Sequence, residues 1–99
     1  MSRRPRKKMT KKILKYPIPI KDESQIDLPI GSKILSAVEQ NDTIVMYAMV
    51  NTEITDVRPV TVRVIGTGNL IENQMTEFKF LGTVNMHRGL LMWHVFVRE

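Results

Sequence analysis

The chain contains no cysteine. That excludes a disulfide framework, a thiolate zinc site and a cysteine nucleophile, and it fits a reducing compartment. Histidine is scarce. His87 and His94 are the only two, neither has a clear carboxylate partner, and two such residues make a poor metal site. Long apolar runs are also missing. The longest, Ile44–Val50, is far short of the ~20 residues a membrane helix needs. No apolar segment of signal-peptide length follows the N-terminus. The acidic residues are scattered and suggest no catalytic pair. Ser24, Ser32 and Ser36 lack the strand-to-helix elbow of a hydrolase nucleophile. The expectation is a protein without catalytic residues, cofactor, metal or membrane span.

Ninety-nine residues are enough for one domain with a modest core. The net charge of +5 is unevenly spread. Residues 1–15 carry eight Lys or Arg and no acid, and the other 84 residues carry seven Lys or Arg and ten acids, a net −3. A basic arm therefore precedes a mildly acidic body. Dense like charge without apolar periodicity makes residues 1–12 a flexible arm in isolation and 13–99 the folded domain. Met9 is itself a candidate start. Arg3, Arg4, Arg6, Lys7, Lys8, Lys11 and Lys12 are candidate phosphate contacts, without sequence preference and with strong salt dependence. No aromatic is interleaved before Tyr16, so the arm offers no base stacking. The same charge also suits a solubilising tail.

The stretch Phe78–Val97 organises the rest. Two apolar arms flank His87-Arg88-Gly89, where Gly89 can take the positive φ of a tight loop. The second arm is apolar on both faces, with Leu90, Met92 and Phe96 on one and Leu91, Trp93, Val95 and Val97 on the other. Ile44–Val50 has the same character. Such arms belong in the middle of a covered sheet or in a subunit interface. Pro17 and Pro19 confine Ile13–Ile20 to a sheet edge. Gln25–Leu28 alternates, and Lys33–Glu39 and Thr43–Asn51 form a hairpin closed by Asn41 and Asp42. After Pro59, the pattern puts Val60, Val62 and Val64 inward and Thr61 and Arg63 outward. Leu70–Glu77 is either a loop or one helical turn. About seven extended segments predict an all-β fold, a small antiparallel sandwich or barrel.

Several features carry more than one reading. Gly66-Thr67-Gly68-Asn69 can cradle a phosphate on backbone N–H groups, or simply be a turn whose glycines supply positive φ. It is the candidate ligand site. His94 is read as a core or interface histidine with a hydrogen-bonding neighbour. Met46, Met49, Met86 and Met92 suit either an adaptable binding surface or core filling. A small sandwich has one inner face, so Val45, Tyr47, Met49, Leu91, Trp93 and Val95 are candidates to meet a second subunit, with Tyr47, Met49 and Trp93 as the chosen interface set. That reading expects a homodimer or higher homo-oligomer.

From Lys12 onward the chain resembles a family of small uncharacterised bacteriophage proteins. The residues that carry the likeness are Lys15-Tyr16-Pro17-Ile18-Pro19-Ile20, Leu28-Pro29-Ile30-Gly31-Ser32-Lys33-Ile34-Leu35, Gln40-Asn41, Gly66-Thr67-Gly68, Leu81-Gly82-Thr83 and Trp93-His94-Val95-Phe96. The family has histidine where Asn69 stands, so no histidine chemistry carries over to that loop. The resemblance implies a β fold and a phage setting, hence the host cytoplasm, and no mechanism. The leading expectation is a non-enzymatic accessory protein that binds a host protein or a small anionic ligand during infection. The alternative is a nucleic-acid-binding protein that uses the arm.

Overall fold

Alternating side chains become strands where a turn residue ends each run. The computed structural model describes residues 10–71 and 74–99. Among them are β1 (Lys11–Ile18), β2 (Ser24–Pro29), β3 (Lys33–Gln40), β4 (Thr43–Asn51), β5 (Val57–Gly66), β6 (Lys79–Met86) and β7 (Leu91–Arg98), with one 3-10 turn at His87–Gly89. The fold is all-β, as the segment pattern predicts. Three strands form one antiparallel sheet in the order β1-β4-β3, and four form a second in the order β2-β5-β7-β6.

The turns use the residues their geometry demands. Asn41 and Asp42 both have positive φ, at 51° and 62°, as a two-residue hairpin loop requires. The β6–β7 loop is more costly than its sequence suggests. His87, Arg88 and Gly89 have φ of 53°, 56° and 88°, and only the last is glycine. Leu90, placed in the second arm by its apolarity, lies instead in that loop and is 84% exposed.

Both two-faced apolar strands are interior to a sheet. β4 lies between β1 and β3, and β7 lies between β5 and β6. They belong to different sheets, whose inner faces meet. Ile44, Met46, Ala48 and Val50 from β4 pack toward Val60, Val62 and Val64 from β5 and Val95 and Val97 from β7, and all are buried. Each valine, isoleucine or methionine side chain among them contributes about 1.5–3 kcal/mol by leaving water. β1 is an edge strand, as its prolines require. It opens at Lys11, two residues before the boundary read from charge, because Lys11 pairs with Asn51 and Lys12 with Val50. Thr52 N–H donates to the Thr10 carbonyl at 2.8 Å and holds this end down.

On one side of the sandwich the two sheets close on each other. β3 and β6 each break register by one residue, between Ile34 and Ser36 and between Phe80 and Gly82. Such bulges bend a strand and re-aim its side chains. Gly82 faces β3 there, and a Cβ at that position would stand 3.6 Å from the Ala37 carbonyl oxygen.

The register bears out one expectation about facing, with a difference in burial, and corrects another. Thr61 and Arg63 point outward, yet both are buried, Arg63 to 1% exposure. The outer face of the four-stranded sheet is covered there. Arg63 Nη2 donates to Asp22 Oδ1 at 2.9 Å, its Nε reaches the Asp22 carbonyl, and its head group lies against Met75 and 5.9 Å from the Phe78 ring centre. The β1–β2 and β5–β6 connections therefore fold over it. Second, Leu91, Trp93 and Val95 are on the inner face of β7, because Val95 pairs with Val64 and Trp93 with Gly66. Val95 is fully buried and Trp93 packs against the core.

Candidate functional site

Antiparallel pairing places directly opposed residues on the same face. Lys15 opposes Tyr47, Ile13 opposes Met49, and Lys33 opposes Met49 from the other side. The outer face of the three-stranded sheet thus has Tyr47 and Met49 at its centre, with Lys11, Lys15 and Lys33 around them. No acidic residue occupies that face of the three strands among the described residues. Lys15 Nζ and Tyr47 Oη both donate to Gln40 Oε1, each at 3.4 Å. Val45 also lies on this face but is only 5% exposed, whereas Ile13 is 61% exposed.

Lys33 joins this face to the seam between the sheets. On one side it borders a hollow of about 340 Å³ with Lys11, Met49 and Ile54. On the other it borders a hollow of about 380 Å³ with Lys79, Phe80 and Glu99. Lys11, Lys33 and Lys79 therefore follow one another across the surface. None of them takes part in an ion pair among the described residues, while Glu99 is paired with Arg58. Of the cations chosen from the sequence, Lys11 lies on this track. Lys12 lies on the opposite face of β1, opposite the core residue Val50. Arg3, Arg4, Arg6, Lys7 and Lys8 lie outside the described residues.

The Gly66–Asn69 segment is a turn. Asn69 N–H donates to the Gly66 carbonyl at 3.1 Å, and Gly68 supplies the positive φ of 87° at the third position. Thr67 N–H donates to the Met92 carbonyl at 3.2 Å. Two of the N–H groups that a phosphate cradle would use are thereby committed within the protein. Gly66 serves packing instead, since a Cβ there would stand 3.1 Å from the Trp93 ring and 2.8 Å from the Asn69 amide nitrogen. The backbone-cradle reading is therefore set aside in favour of the turn.

His94 lies between two hydroxyls on the outer face of β7. Its Nε2 is 2.7 Å from Thr67 Oγ1 and its Nδ1 is 2.9 Å from Thr83 Oγ1. A neutral imidazole donates through one nitrogen and accepts through the other, and a hydroxyl satisfies either role. The ring thus pins the Gly66–Asn69 turn to β6. His94→Ala is expected to lower stability by about 1 kcal/mol, the net value of one or two partly exposed hydrogen bonds. Thermal unfolding checks this, and a melting temperature equal to wild type would show that the clasp contributes nothing. The described residues contain no group of three or more His, Asp and Glu able to hold a metal ion.

The three residues chosen as an interface do not share a surface. Tyr47 and Met49 lie together on the outer face of β4, while Trp93 is turned into the sandwich. Its indole Nε1 is buried without a hydrogen-bond partner among the described residues. The methionines divide likewise, with Met46 and Met86 in the core and Met49 and Met92 half-buried on outer faces. Lys33, Lys79 and Phe80 are not singled out by the sequence as site residues, and Lys15 enters only as the last charge of the basic arm. Lys11 and Lys15 were within reach, because positions four apart in a strand share a face. Lys33 and Lys79 carry no local signal, since only the closure of β3 on β6 brings them together.

No helix among the described residues is long and apolar enough to cross a membrane. Comparison with curated proteins gives no match, and comparison with solved structures gives none either. A family match, however, spans residues 9–99, from just before β1 through the last residue of the chain. The arm before Met9 is outside it and the whole sandwich is inside it, so the chain belongs to the family of the domain of unknown function DUF7352.

Proposed function

We propose that this protein works by binding rather than by catalysis, and that its partner is a nucleic acid held through its phosphates. The observation that carries the reading is the run Lys11, Lys33 and Lys79, solvent-exposed and without ion pairs among the described residues, beside a face that has no acid. The body as a whole is net negative, so a cationic track on it is a local arrangement and not a by-product of composition. The basic arm enters the domain at Lys11, at one end of this track, and extends the same charge. A second copy of the chain is a poorer occupant of the outer face. It would bring Lys11, Lys15 and Lys33 from both copies into one contact. We place the activity in the cytoplasm of a phage-infected host, on the resemblance described above.

The test is equilibrium binding of a fluorescein-labelled 15-nucleotide oligothymidine across a range of salt. Affinity should fall steeply with salt, with a logarithmic slope of about −0.7 for each phosphate neutralised on a single strand. Removing residues 1–8 should flatten that slope and leave the melting temperature unchanged, because β1 begins after the deleted segment. Absence of binding at low salt, or a slope near zero, would overturn the proposal.

A further inference from the structure

We infer that Phe80 is a base-stacking platform, so that the nucleic acid taken up by the lysine track is single-stranded. The inference rests on the binding function proposed above. Phe80 is 58% exposed at the second position of β6, the edge strand of its sheet. Its ring meets Phe96 edge to face, with ring centres 5.5 Å apart and planes at 61°. That contact holds the exposed ring in one orientation. An ordered aromatic face loses little freedom on binding, which raises the affinity it can deliver.

The position of the ring follows from the fold. The register of β6 slips immediately after Phe80, and a bulge of this kind re-aims the neighbouring side chain. β6 runs beside β3 here, and this closure places Phe80 with Lys33 and Lys79 around one hollow. All three line that hollow of about 380 Å³, with the ring on the Phe96 side of β6. The carboxylate there, Glu99, is already held by Arg58. A ring that takes a base together with cations that take the adjoining phosphates is the pairing that single-strand binders use. In a duplex the bases are stacked on one another and their faces are not available. Phosphates alone do not distinguish the two forms, so the ring is the discriminating element.

The experiment compares wild type, Phe80→Leu and Phe80→Trp on labelled 15-nucleotide oligothymidine and on a labelled 15-base-pair duplex at one salt concentration. Phe80→Leu should lose about tenfold in affinity for the single strand and change little on the duplex. Phe80→Trp should keep the single-strand affinity, and its added indole emission should be quenched by oligothymidine. Melting temperatures control for folding, and the exposure of the ring predicts near-wild-type values. If Phe80→Leu binds oligothymidine as tightly as wild type, or binds both probes equally less, the stacking role is overturned and the phosphate-binding proposal stands. If wild type binds neither probe at low salt, the proposal of nucleic-acid binding falls and the stacking role falls with it.

Discussion

Arg63→Ala is expected to lower the stability of the fold by about 3 kcal/mol, one of the largest losses available at a single position outside the apolar core. Three contributions add. The side chain is 1% exposed, so its removal leaves unfilled volume against the sheet. Its bonds to the Asp22 carboxylate and carbonyl are lost, together with its position over Phe78. The connections that carry Asp22 and Met75 then lose a common anchor, and the outer faces of Thr61 and Ile65 are opened to water. The Asp22 carboxylate is itself 64% exposed, so it rehydrates and adds little to the penalty. For a domain of this size the melting temperature should drop by roughly 15 °C. Arg63→Met should lose about half as much, because it fills the volume and restores apolar cover without the charge. Thermal unfolding followed by circular dichroism checks both. If Arg63→Ala melts within about 2 °C of wild type, the cover over the second sheet is not held by this residue.

The second large effect concerns binding. The triple change Lys11→Glu, Lys33→Glu and Lys79→Glu should weaken oligothymidine binding by roughly a hundredfold at ~0.1 M salt, because each reversal removes one phosphate contact and adds a repulsion. All three side chains are exposed, so the fold should be unaffected. The difference between wild type and the triple variant should shrink as salt rises, since screening removes attraction and repulsion alike. A control variant with Lys12, Lys21 and Arg88 each changed to Glu carries the same charge change away from the track. If the control loses as much affinity as the triple variant, binding depends on net charge and not on the track. If the triple variant binds like wild type, the arm alone carries the interaction.

The inward orientation of Trp93 decides what its mutation reports. With the indole on the inner face of β7, Trp93→Lys would insert a charge into the inter-sheet core. It would unfold the monomer and say nothing about association. Tyr47 and Met49 remain on the surface that a partner can reach, with the lysines of β1 and β3 around them.

The strands and their punctuation were determined by local sequence. Alternation at Val60, Val62 and Val64, the imino groups of Pro17 and Pro19, and the tolerance of Asn41 and Asp42 for positive φ are properties of neighbouring residues, and each acts where it stands in the chain. The two-faced runs Ile44–Val50 and Leu90–Val97 were legible as interior strands for the same reason, apart from Leu90, which the loop takes. Which of two apolar faces turns inward was not legible, because a period of two separates the faces without ranking them. In β7 that choice was made by pairing with β5, where Val95 meets Val64 and Val97 meets Val62. The cover over Arg63 and the track from Lys11 to Lys79 also belong to the tertiary structure alone. They join residues from distant parts of the chain, and only the closure of one sheet upon the other brings those side chains within reach.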